Sequence, residues 1–314
     1  MQALLEAIAQ AQPGPQACRV FHGRGGLHPG CEHLSLDWYA PVWVLTSFAP
    51  LQEAALAAVG QALATRMQAL GQPLNWVLQF RLSGSARSDT QLMAGSVPEA
   101  HTVQEQGARY RVHVLRGQNH GLFLDMAAGR QWLRGQASGQ RVLNLFAYTC
   151  AFSVAALQGG ASEVVNLDMA AGALAIGQQN HQLNGLSGAR FLAHNLFSSW
   201  GKLKRLGPFD TVVADPPSYQ KGSFVASKDY PRLLRRLPEL LAPGGQALLC
   251  LNAPEIPSAF LTEQVAAQAP ALRFVRRLPN PPAFADVDPE RALKVLLFTR
   301  DETAQSLPDS ATIR

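Results

Sequence analysis

The sequence has little charge and little cysteine. Only 16% of its 314 residues are charged, 47% are hydrophobic, and four are cysteines, at positions 18, 31, 150 and 250. A hydrophobic fraction this high excludes an intrinsically disordered chain, which would be too polar to bury a core. Four widely separated cysteines are too few for a disulfide framework, so we expect a reducing, cytoplasmic environment.

Targeting and membrane signals are also missing. The first ten residues contain Glu6, no Lys or Arg, and only a short apolar run, which is not the pattern of a secretory signal peptide. One uncharged run, 142–162, is long enough for a membrane span, but polar residues and the pair Gly159-Gly160 interrupt it. A strand, a turn and a helix explain this run better, so no membrane partner is predicted.

Lysine is scarce compared with arginine. The chain has 22 Arg and 5 Lys, and its formal net charge is +5. Arginine is the cation that forms forked hydrogen bonds to phosphates. A net charge of only +5 does not decide the matter, so composition leaves nucleic-acid binding open.

The first 115 residues predict a small α+β module, and substrate binding is the role expected for it. Helices are expected in 1–17 and 50–70, strands in 36–48, 74–82 and 109–117, and a loop from residue 83 onwards. Residues 116–314 show a different pattern, in which apolar strands alternate with helices. Its predicted strands are 141–146, 164–168, 190–194, 209–215, 245–252, 271–278 and 292–300. This alternation is typical of an α/β fold with a doubly wound, mostly parallel sheet.

In such a sheet the ligand lies beyond the carboxyl ends of the strands. Asp168 ends the second strand of this region, at about the separation from Asn144 that lets a carboxylate accept both hydroxyls of a ribose. The loop after the first strand has no glycine before Gly159, so it does not suit the pyrophosphate of NAD. These residues favour S-adenosylmethionine (SAM), which has no phosphate, although Asp168 could instead be a simple helix N-cap.

The fourth strand of this region ends in Asp215-Pro216-Pro217. Two prolines stiffen the turn, so the Asp215 carboxylate and the Pro216 carbonyl are expected to be fixed acceptors in the cleft. An amino group that donates to both would be oriented for methylation, and Tyr219 could stack on a planar base. The alternative is an ordinary proline-rich connection in which Asp215 is an N-cap.

Several segments in this order resemble class I SAM-dependent methyltransferases: LNLFAYTCAFSVAAL (143–157), the strand end at Asp168, DPPSY (215–219) and LLAPGG (240–245). The pair GLFLDMA (121–127) and NLFAYTCAF (144–152) is similar to a hallmark of bacterial large-subunit ribosomal RNA methyltransferases. The resemblance covers about residues 105–300. It implies a Rossmann-like, seven-stranded sheet, SAM as cofactor, and methyl transfer to RNA.

The resemblance also implies which residues form the site. Those that would hold SAM are Asn144, Phe146, Tyr148, Thr149, Asp168, Met169, Asn195, Leu196 and Asp215. Those of the catalytic turn are Asp215, Pro216, Pro217 and Tyr219. Those that would contact RNA are Phe123, Asp125, Arg130 and Asn252. No metal is implied, and the implied partner is RNA, in particular ribosomal RNA.

This sequence departs from the family pattern at a few positions. Cys150 stands where the family has glycine, Ala127 where it has arginine, and Asn195 near its acidic adenine contact. A cytosine-C5 enzyme of this kind would need a nucleophilic cysteine at the place of Asn252. The guanine-modifying branch has Asn there, so the resemblance favours a base nitrogen as methyl acceptor, and Cys250 is expected to be a buried core thiol.

Two other functions stay open at this point. One is a methyltransferase for a protein side-chain amide or a small molecule, and the other is a catalytically degenerate protein that binds SAM or RNA. A basic surface beside the Asp215 cleft would favour RNA as the substrate. A narrow acidic or apolar pocket would favour a small molecule, and a blocked SAM pocket would favour the degenerate protein.

The remaining patterns are weaker. The loop 21–33 contains three histidines and Cys31 in a spacing that matches no usual zinc site, and its Arg24 could contact phosphate. Ser153 has no histidine partner that the sequence indicates, so hydrolase chemistry is not predicted. His181 is interpreted as a surface or strand residue.

Overall fold

The computed structural model describes residues 1–81, 89–217 and 224–302, and only the main chain of residues 219 and 220. Its helices are α1 (Gln2–Gln10), α2 (Glu53–Ala69), α3 (Ala127–Gln136), α4 (Ala151–Gln158), α5 (Ala171–Leu183), α6 (Trp200–Leu206), α7 (Ala226–Leu240) and α8 (Ser258–Gln268). In the described part of the chain, no helix has both the length and the apolar character that a membrane crossing requires.

The strands of the described residues form two large sheets and two short hairpins. They are β1 (Cys18–His22), β2 (Leu34–Tyr39), β3 (Val42–Ser47), β4 (Trp76–Phe80), β5 (Asp89–Ala94), β6 (Thr102–Glu105), β7 (Ala108–Arg111), β8 (Arg141–Leu145), β9 (Glu163–Asp168), β10 (Ala189–Ala193), β11 (Phe209–Ala214), β12 (Tyr219–Gln220), β13 (Phe224–Val225), β14 (Leu241–Leu251), β15 (Leu272–Leu278) and β16 (Lys294–Arg300).

The larger sheet has seven strands in the order β10-β9-β8-β11-β14-β16-β15. Neighbouring strands from β10 to β14 are parallel, and β16 is antiparallel to both of its neighbours. The predicted α/β fold with a mostly parallel, doubly wound sheet is confirmed. Because the strand order reverses between β8 and β11, the loops after these strands diverge and leave the crevice in which such sheets bind ligands.

Alternating side chains of the central strands fill two cores, one on each face of this sheet. Leu143 and Val212 pack with residues of α6, α7 and α8, whereas Val142 and Val213 pack with residues of α3 and α4. All four side chains are fully buried. Burial of each contributes about 1.5–3 kcal/mol, which explains why continuous apolar runs predict these strands correctly.

The smaller sheet has five strands in the order β1-β2-β3-β4-β5, with β3 and β4 parallel and joined by α2. One of its faces packs on α1 and α2 through residues such as Leu36, Trp43 and Leu78. The opposite face carries polar residues at alternate positions of β2, among them Ser35 and Asp37. This polar face is turned towards the larger sheet, across a cavity.

Two strands of the smaller sheet differ from the expectation. No strand is predicted at β1, and a loop is predicted where β5 lies; residues 83–88 of that loop are outside the described residues. Both are edge strands with many partly exposed side chains, so neither contains an apolar run. The strand expected at 109–117 is shorter than predicted, because β7 ends at Arg111.

The hairpin β6–β7 packs on helices of the larger sheet. The main-chain N–H groups of Arg109 and Arg111 donate to the side chains of Asn184 and Asn180, on and just after α5. Packing therefore continues across the division expected at residue 115. That division into domains stays a prediction.

Candidate active site

A cavity of about 960 Å³ lies between the carboxyl ends of the larger sheet and the polar face of the smaller sheet. The predicted site residues that line it are Phe123, Asp125, Arg130, Phe146, Tyr148, Thr149, Asp168, Met169, Asn195, Leu196, Asp215, Pro216, Pro217 and Asn252. Asn144 does not line it. The side chain of Tyr219 lies outside what the structure describes.

The loop after β8 has an unusual backbone. Phe146, Tyr148 and Cys150 have φ angles of 57°, 47° and 61°, in the left-handed region that residues other than glycine rarely adopt. Two hydrogen bonds of Thr149 support this path, because its Oγ1 donates to the Gly121 carbonyl over 2.6 Å and its carbonyl accepts from a side chain of α5. Backbone strain of this kind collects at ligand sites.

The side chain of Cys150 points away from the cavity. It is fully buried and is not part of the cavity wall. Its sulfur faces α5, where a Cβ on Gly177 would lie only 2.5 Å from Sγ. The missing side chain at Gly177 therefore makes room for the thiol, so the departure from glycine at this position leaves the ligand side of the loop clear. Burial raises the pKa of the Cys150 thiol, which keeps it protonated and unreactive.

Asp168 joins two loops at the edge of the cavity. Its Oδ2 accepts from the Tyr148 N–H and its Oδ1 accepts from the Ala170 N–H, each over 2.8 Å. Each carboxylate oxygen has a further lone pair, and the side chain lines the cavity. Asp168 can therefore stabilise the turn and accept hydrogen bonds from ribose hydroxyls at the same time.

Asn144 has a different environment from the one predicted. Its side chain is buried, and its amide donates to Asn166 over 2.9 Å. Asn166 donates in turn to Ser153, whose hydroxyl lies 2.8 Å from Nε2 of His181. Because none of these side chains lines the cavity, the structure corrects the assignment of Asn144 to direct cofactor contact. Asn144 instead links β8 to β9 through its hydrogen bond to Asn166, below the loops that follow these two strands.

This chain of hydrogen bonds also corrects two expectations about Ser153 and His181. Ser153 does have a histidine partner, and His181 is a buried residue of α5. The two residues are 0% and 4% exposed, so no substrate can reach the serine hydroxyl. The pair therefore holds α4 against α5 and is not a hydrolase site.

The loops after β9 and β10 complete the cofactor side of the cavity. Asn195 Oδ1 accepts from the Phe197 N–H over 2.8 Å and so caps the short 3-10 turn that begins at Leu196. Leu196 is buried and Met169 is 49% exposed, and both line the cavity. Apolar surface beside a single amide suits the face and the polar edge of an adenine.

Two carboxyl groups with raised pKa values lie on this side of the cavity. Burial raises the pKa of Asp215 to about 7, with a further contribution from the Asp125 carboxylate and an opposing one from Arg130. Burial also raises the pKa of Asp125. A carboxyl group with a pKa near 7 can take up and release protons at neutral pH, as general acid–base chemistry requires.

Arg130 reaches the cavity wall, but its guanidinium is occupied by protein groups. It forms two hydrogen bonds of 2.6 Å to the Glu105 carboxylate and one of 2.8 Å to the Phe123 carbonyl. Both members of the ion pair are buried. These hydrogen bonds make Arg130 a positioning residue for the segment that contains Phe123 and Asp125, and its contact with RNA stays a prediction.

Asn252 and Cys250, at the end of β14, decide whether a cysteine nucleophile is available at the cavity. Asn252 is exposed and lines the cavity, whereas Cys250 is fully buried within the strand. Burial raises the pKa of the Cys250 thiol well above its ordinary value. Among the described residues that line the cavity there is no cysteine.

Apart from Arg24, which the sequence indicates as a candidate phosphate contact, the residues of the opposite wall of the cavity are not predicted from the sequence. This wall is formed by the smaller sheet and includes Arg19, Asp37, Gln79 and Arg81, together with Arg24 of the loop after β1. The Arg19 guanidinium forms hydrogen bonds of 2.6 and 3.0 Å to the Asp37 carboxylate. The available signal is polar residues at every second position, 35 and 37 in β2, and 79 in β4 with 81 directly after it, because alternate residues of a strand share a face.

The side chains of the histidine-rich loop 21–33 do not converge on a metal site. His22 packs on Phe284 and His28 packs on Phe21, with ring centroids 5.3 and 4.7 Å apart. Within the ranges that the structure describes, no three His, Cys, Asp or Glu side chains are placed to hold one metal ion.

Comparison with known proteins identifies the family. The family model for S-adenosylmethionine-dependent methyltransferases matches residues 18–299. The chain belongs to this family. The matched residues include both sheets, so the family model covers both walls of the cavity.

Individual relatives agree with this assignment. Ribosomal RNA large subunit methyltransferase I of Aeromonas salmonicida is 32% identical over 226 residues, which are 70% of this chain and 57% of that protein. Ribosomal RNA large subunit methyltransferase K/L of a Psychrobacter species is 37% identical over 168 residues, 51% of this chain and 21% of that protein. This chain therefore spans little more than half of the first relative and about a fifth of the second.

A solved structure has the same fold. It is a SAM-dependent methyltransferase from Streptococcus mutans, with a TM-score of 0.79 and 23% identity, over 95% of this chain and 81% of its own.

The residues of the cavity fit SAM, the cofactor of the family. The Asp168 carboxylate offers acceptors for a ribose, the loop after β8 brings Phe146 and Tyr148 to the wall, and Asn195 offers an amide to an adenine. The cavity volume lies at the upper end of the usual range for a ligand site, which leaves room for a second ligand. When bound, SAM supplies an electrophilic methyl group on a positively charged sulfur.

Asp168→Ala should weaken SAM binding about a hundredfold or more. The variant loses hydrogen bonds from ribose hydroxyls to a charged acceptor, each worth about 1.5–3 kcal/mol. Calorimetric titration of SAM into both proteins measures the effect. Thr149→Val is the matched control, because it removes a support of the same loop without touching the ribose acceptor. An equal loss of affinity in both variants would show that Asp168 acts only through loop support.

The close approach of Cys150 and Gly177 predicts that Gly177→Ala affects the free energy of unfolding differently with and without the Cys150 side chain. Gly177→Ala should destabilise the protein by about 1–3 kcal/mol, since the new methyl group overlaps the Cys150 sulfur. In the Cys150→Gly background the same substitution should be neutral or stabilising by up to about 1 kcal/mol, because alanine favours the helix. Urea-induced unfolding of the four proteins measures this, and equal effects in both backgrounds would contradict the steric explanation.

Proposed function

We propose that this protein transfers a methyl group from SAM to a base nitrogen of RNA, in particular large-subunit ribosomal RNA. The observation that carries the proposal is one continuous cavity that joins the cofactor loops, the Asp215 turn and a wall with three arginines. An RNA nucleotide in this cavity would meet the methyl donor, an acceptor for its amino group and cations for its phosphates. The ribosomal RNA named for the two relatives supports this choice of substrate.

The properties of this cavity do not fit the two alternatives, a methyltransferase for a small molecule or side-chain amide and a catalytically degenerate protein. An enzyme for a small molecule or a side-chain amide would be expected to have a narrow acidic or apolar pocket, but this cavity is large and its outer wall is basic. A degenerate protein would be expected to have a blocked cofactor site. The side chain of Cys150 points towards α5 instead, so it does not fill that site.

Asp215 is the central residue of the proposed mechanism. Its carboxylate accepts a hydrogen bond from the target amino group, which turns the nitrogen lone pair towards the methyl group. As the nitrogen–carbon bond forms and the carbon–sulfur bond breaks, the amine releases a proton, which the Asp215 carboxylate takes up. A pKa of about 7 suits this role, because the unprotonated form is available at neutral pH and can still hold the proton. Pro216 and Pro217 keep the turn rigid, so orientation contributes to the rate.

A base nitrogen is favoured over a ring carbon because none of the described residues that line the cavity is a cysteine. Methylation of cytosine C5 requires a nucleophile that adds to the ring. Asn252 lies at the cavity where such a cysteine would be needed, and Cys250 lies inside the sheet. Tyr219 remains the residue predicted to stack on the target base.

Deletion of the gene should remove one nitrogen-methylated nucleotide from ribosomal RNA. Mass spectrometry of digested large-subunit RNA from the parent and deletion strains would identify it. Wild-type protein and Cys250→Ala should both restore the modification, whereas Asp215→Ala should not. Loss of a C5-methylated cytosine, or failure of Cys250→Ala to restore the methyl group, would contradict the nitrogen assignment.

The pH dependence of methyl transfer should report the carboxyl group of Asp215. Since the carboxylate is the active form and the pKa is raised to about 7, kcat/KM should rise as the pH increases through 7 and then level off. Asp215→Asn should lose this dependence and react about 10²–10⁴ times more slowly, because the amide cannot take up the proton. Single-turnover transfer of labelled methyl groups between pH 5.5 and 9 would measure both effects. An unchanged pH profile in Asp215→Asn would assign the titration to another group.

A further inference from the structure

Two arginines of the basic wall share one aromatic ring. The guanidinium carbons of Arg24 and Arg81 lie 3.9 and 5.5 Å from the centroid of the Phe48 ring. In the part of the chain that is described, neither arginine forms an ion pair, whereas Arg19 beside them is paired with Asp37. Two positive charges thus lie together on one wall of the cavity with no carboxylate from the described residues to balance them.

This arrangement is unfavourable unless an anion completes it. Burial and the charge of neighbouring arginines lower the pKa of both guanidinium groups. An anion between Arg24 and Arg81 would remove the repulsion and accept charge-assisted hydrogen bonds from both. The Phe48 ring packs against both guanidiniums, and this contact does not use their N–H groups.

The glycines around Arg24 hold it in position. Arg24 is the middle residue of a 3-10 turn, and this turn packs against main chain on both sides. A Cβ on Gly23 would lie 1.8 Å from the Cys31 carbonyl oxygen, and one on Gly25 would lie 2.1 Å from the Ala285 carbonyl oxygen. Only glycine permits this packing, which accounts for the glycine-rich sequence on either side of the arginine.

Main-chain hydrogen bonds hold the other two members of the cluster. The Arg81 N–H donates to the Ser47 carbonyl over 2.9 Å, and the Phe48 N–H donates to the His33 carbonyl over 2.8 Å. Ser47 ends β3, and Arg81 directly follows β4, the neighbouring strand. The main chain that carries Phe48 and Arg81 is therefore held by hydrogen bonds within the smaller sheet and its adjoining loop.

We propose that Arg24 and Arg81 bind a phosphate group of the RNA backbone, beside the nucleotide whose base enters the cavity towards Asp215. This inference rests on the proposed function, because it concerns the same substrate. The non-bridging oxygens of a phosphodiester can accept from both guanidinium groups. Contacts with the backbone carry no sequence information, so this pair positions the RNA and leaves the choice of base to the Asp215 side of the cavity.

Methyl-transfer kinetics and binding of large-subunit RNA transcripts test the inference with Arg24→Ala, Arg81→Ala and the double variant. Each substitution should raise KM for RNA about tenfold with little change in kcat, and should leave SAM affinity unchanged. The slope of log affinity against log salt concentration should fall by about 0.7 for each lost phosphate contact. Arg24→Lys should recover only part of the affinity, because lysine keeps the charge but lacks the fork.

Arg276→Ala is the matched control, since Arg276 is an exposed arginine of β15 at the far edge of the larger sheet. It should leave KM and the salt slope at their wild-type values. Unchanged RNA binding in the Arg24 and Arg81 variants would overturn the inference. A loss of SAM affinity in these variants would also overturn it, because the anion would then be the carboxylate of the cofactor.

A mononucleotide titration separates this inference from the proposed function. With S-adenosylhomocysteine present, cytidine and guanosine 5′-monophosphates should bind the wild type more tightly than the corresponding nucleosides do, and the double variant should lose that difference. This result would support the phosphate site even if no RNA were methylated. Equal binding of nucleotide and nucleoside by the wild type would overturn the site and leave the methyltransferase function intact.

Discussion

The ion pair between Glu105 and Arg130 lies where the β6–β7 hairpin, α3 and the cavity meet. Both side chains are buried, so removal of either partner would leave an unpaired charge, at a cost of about 3–5 kcal/mol. Arg130 also donates to the Phe123 carbonyl and so fixes the segment that carries Asp125. Its charge opposes the rise in the pKa of both Asp125 and Asp215. One contact thus influences the position of Asp125 and the pKa values of Asp125 and Asp215.

The two walls of the cavity differ in their charged side chains. The wall on the side of the larger sheet contains Asp125, Asp168 and Asp215 together with Arg130, whereas arginines outnumber the one carboxylate, Asp37, in the wall of the smaller sheet. Under the proposed function, the amino group of the base is a neutral hydrogen-bond donor that would face the carboxylates, and the phosphate is an anion that would face the arginines. The two walls would then favour one orientation of a nucleotide in the cavity.

Much of the larger sheet could be predicted because each central strand is a local apolar run, and Asp168 and Asp215 could be placed because they end such runs. The smaller sheet was harder to predict from the sequence. Its edge strands β1 and β5 have no apolar run, and its cavity wall combines Arg19 of β1 with Arg81, which follows β4, and these residues are far apart in the sequence. The orientation of Cys150 was also beyond local pattern, since it depends on a glycine in another helix.

The distribution of the cysteines has a practical consequence. Of the four thiols, Cys31, Cys150 and Cys250 are buried, and Cys18 is exposed. Cys18 begins β1 and immediately precedes Arg19, and consecutive residues of a strand point to opposite faces. A dye attached through a maleimide would therefore modify Cys18 alone and stay outside the cavity. Without any engineered cysteine, the native chain thus offers a single labelling position one residue from the arginine wall, suited to following RNA binding by fluorescence.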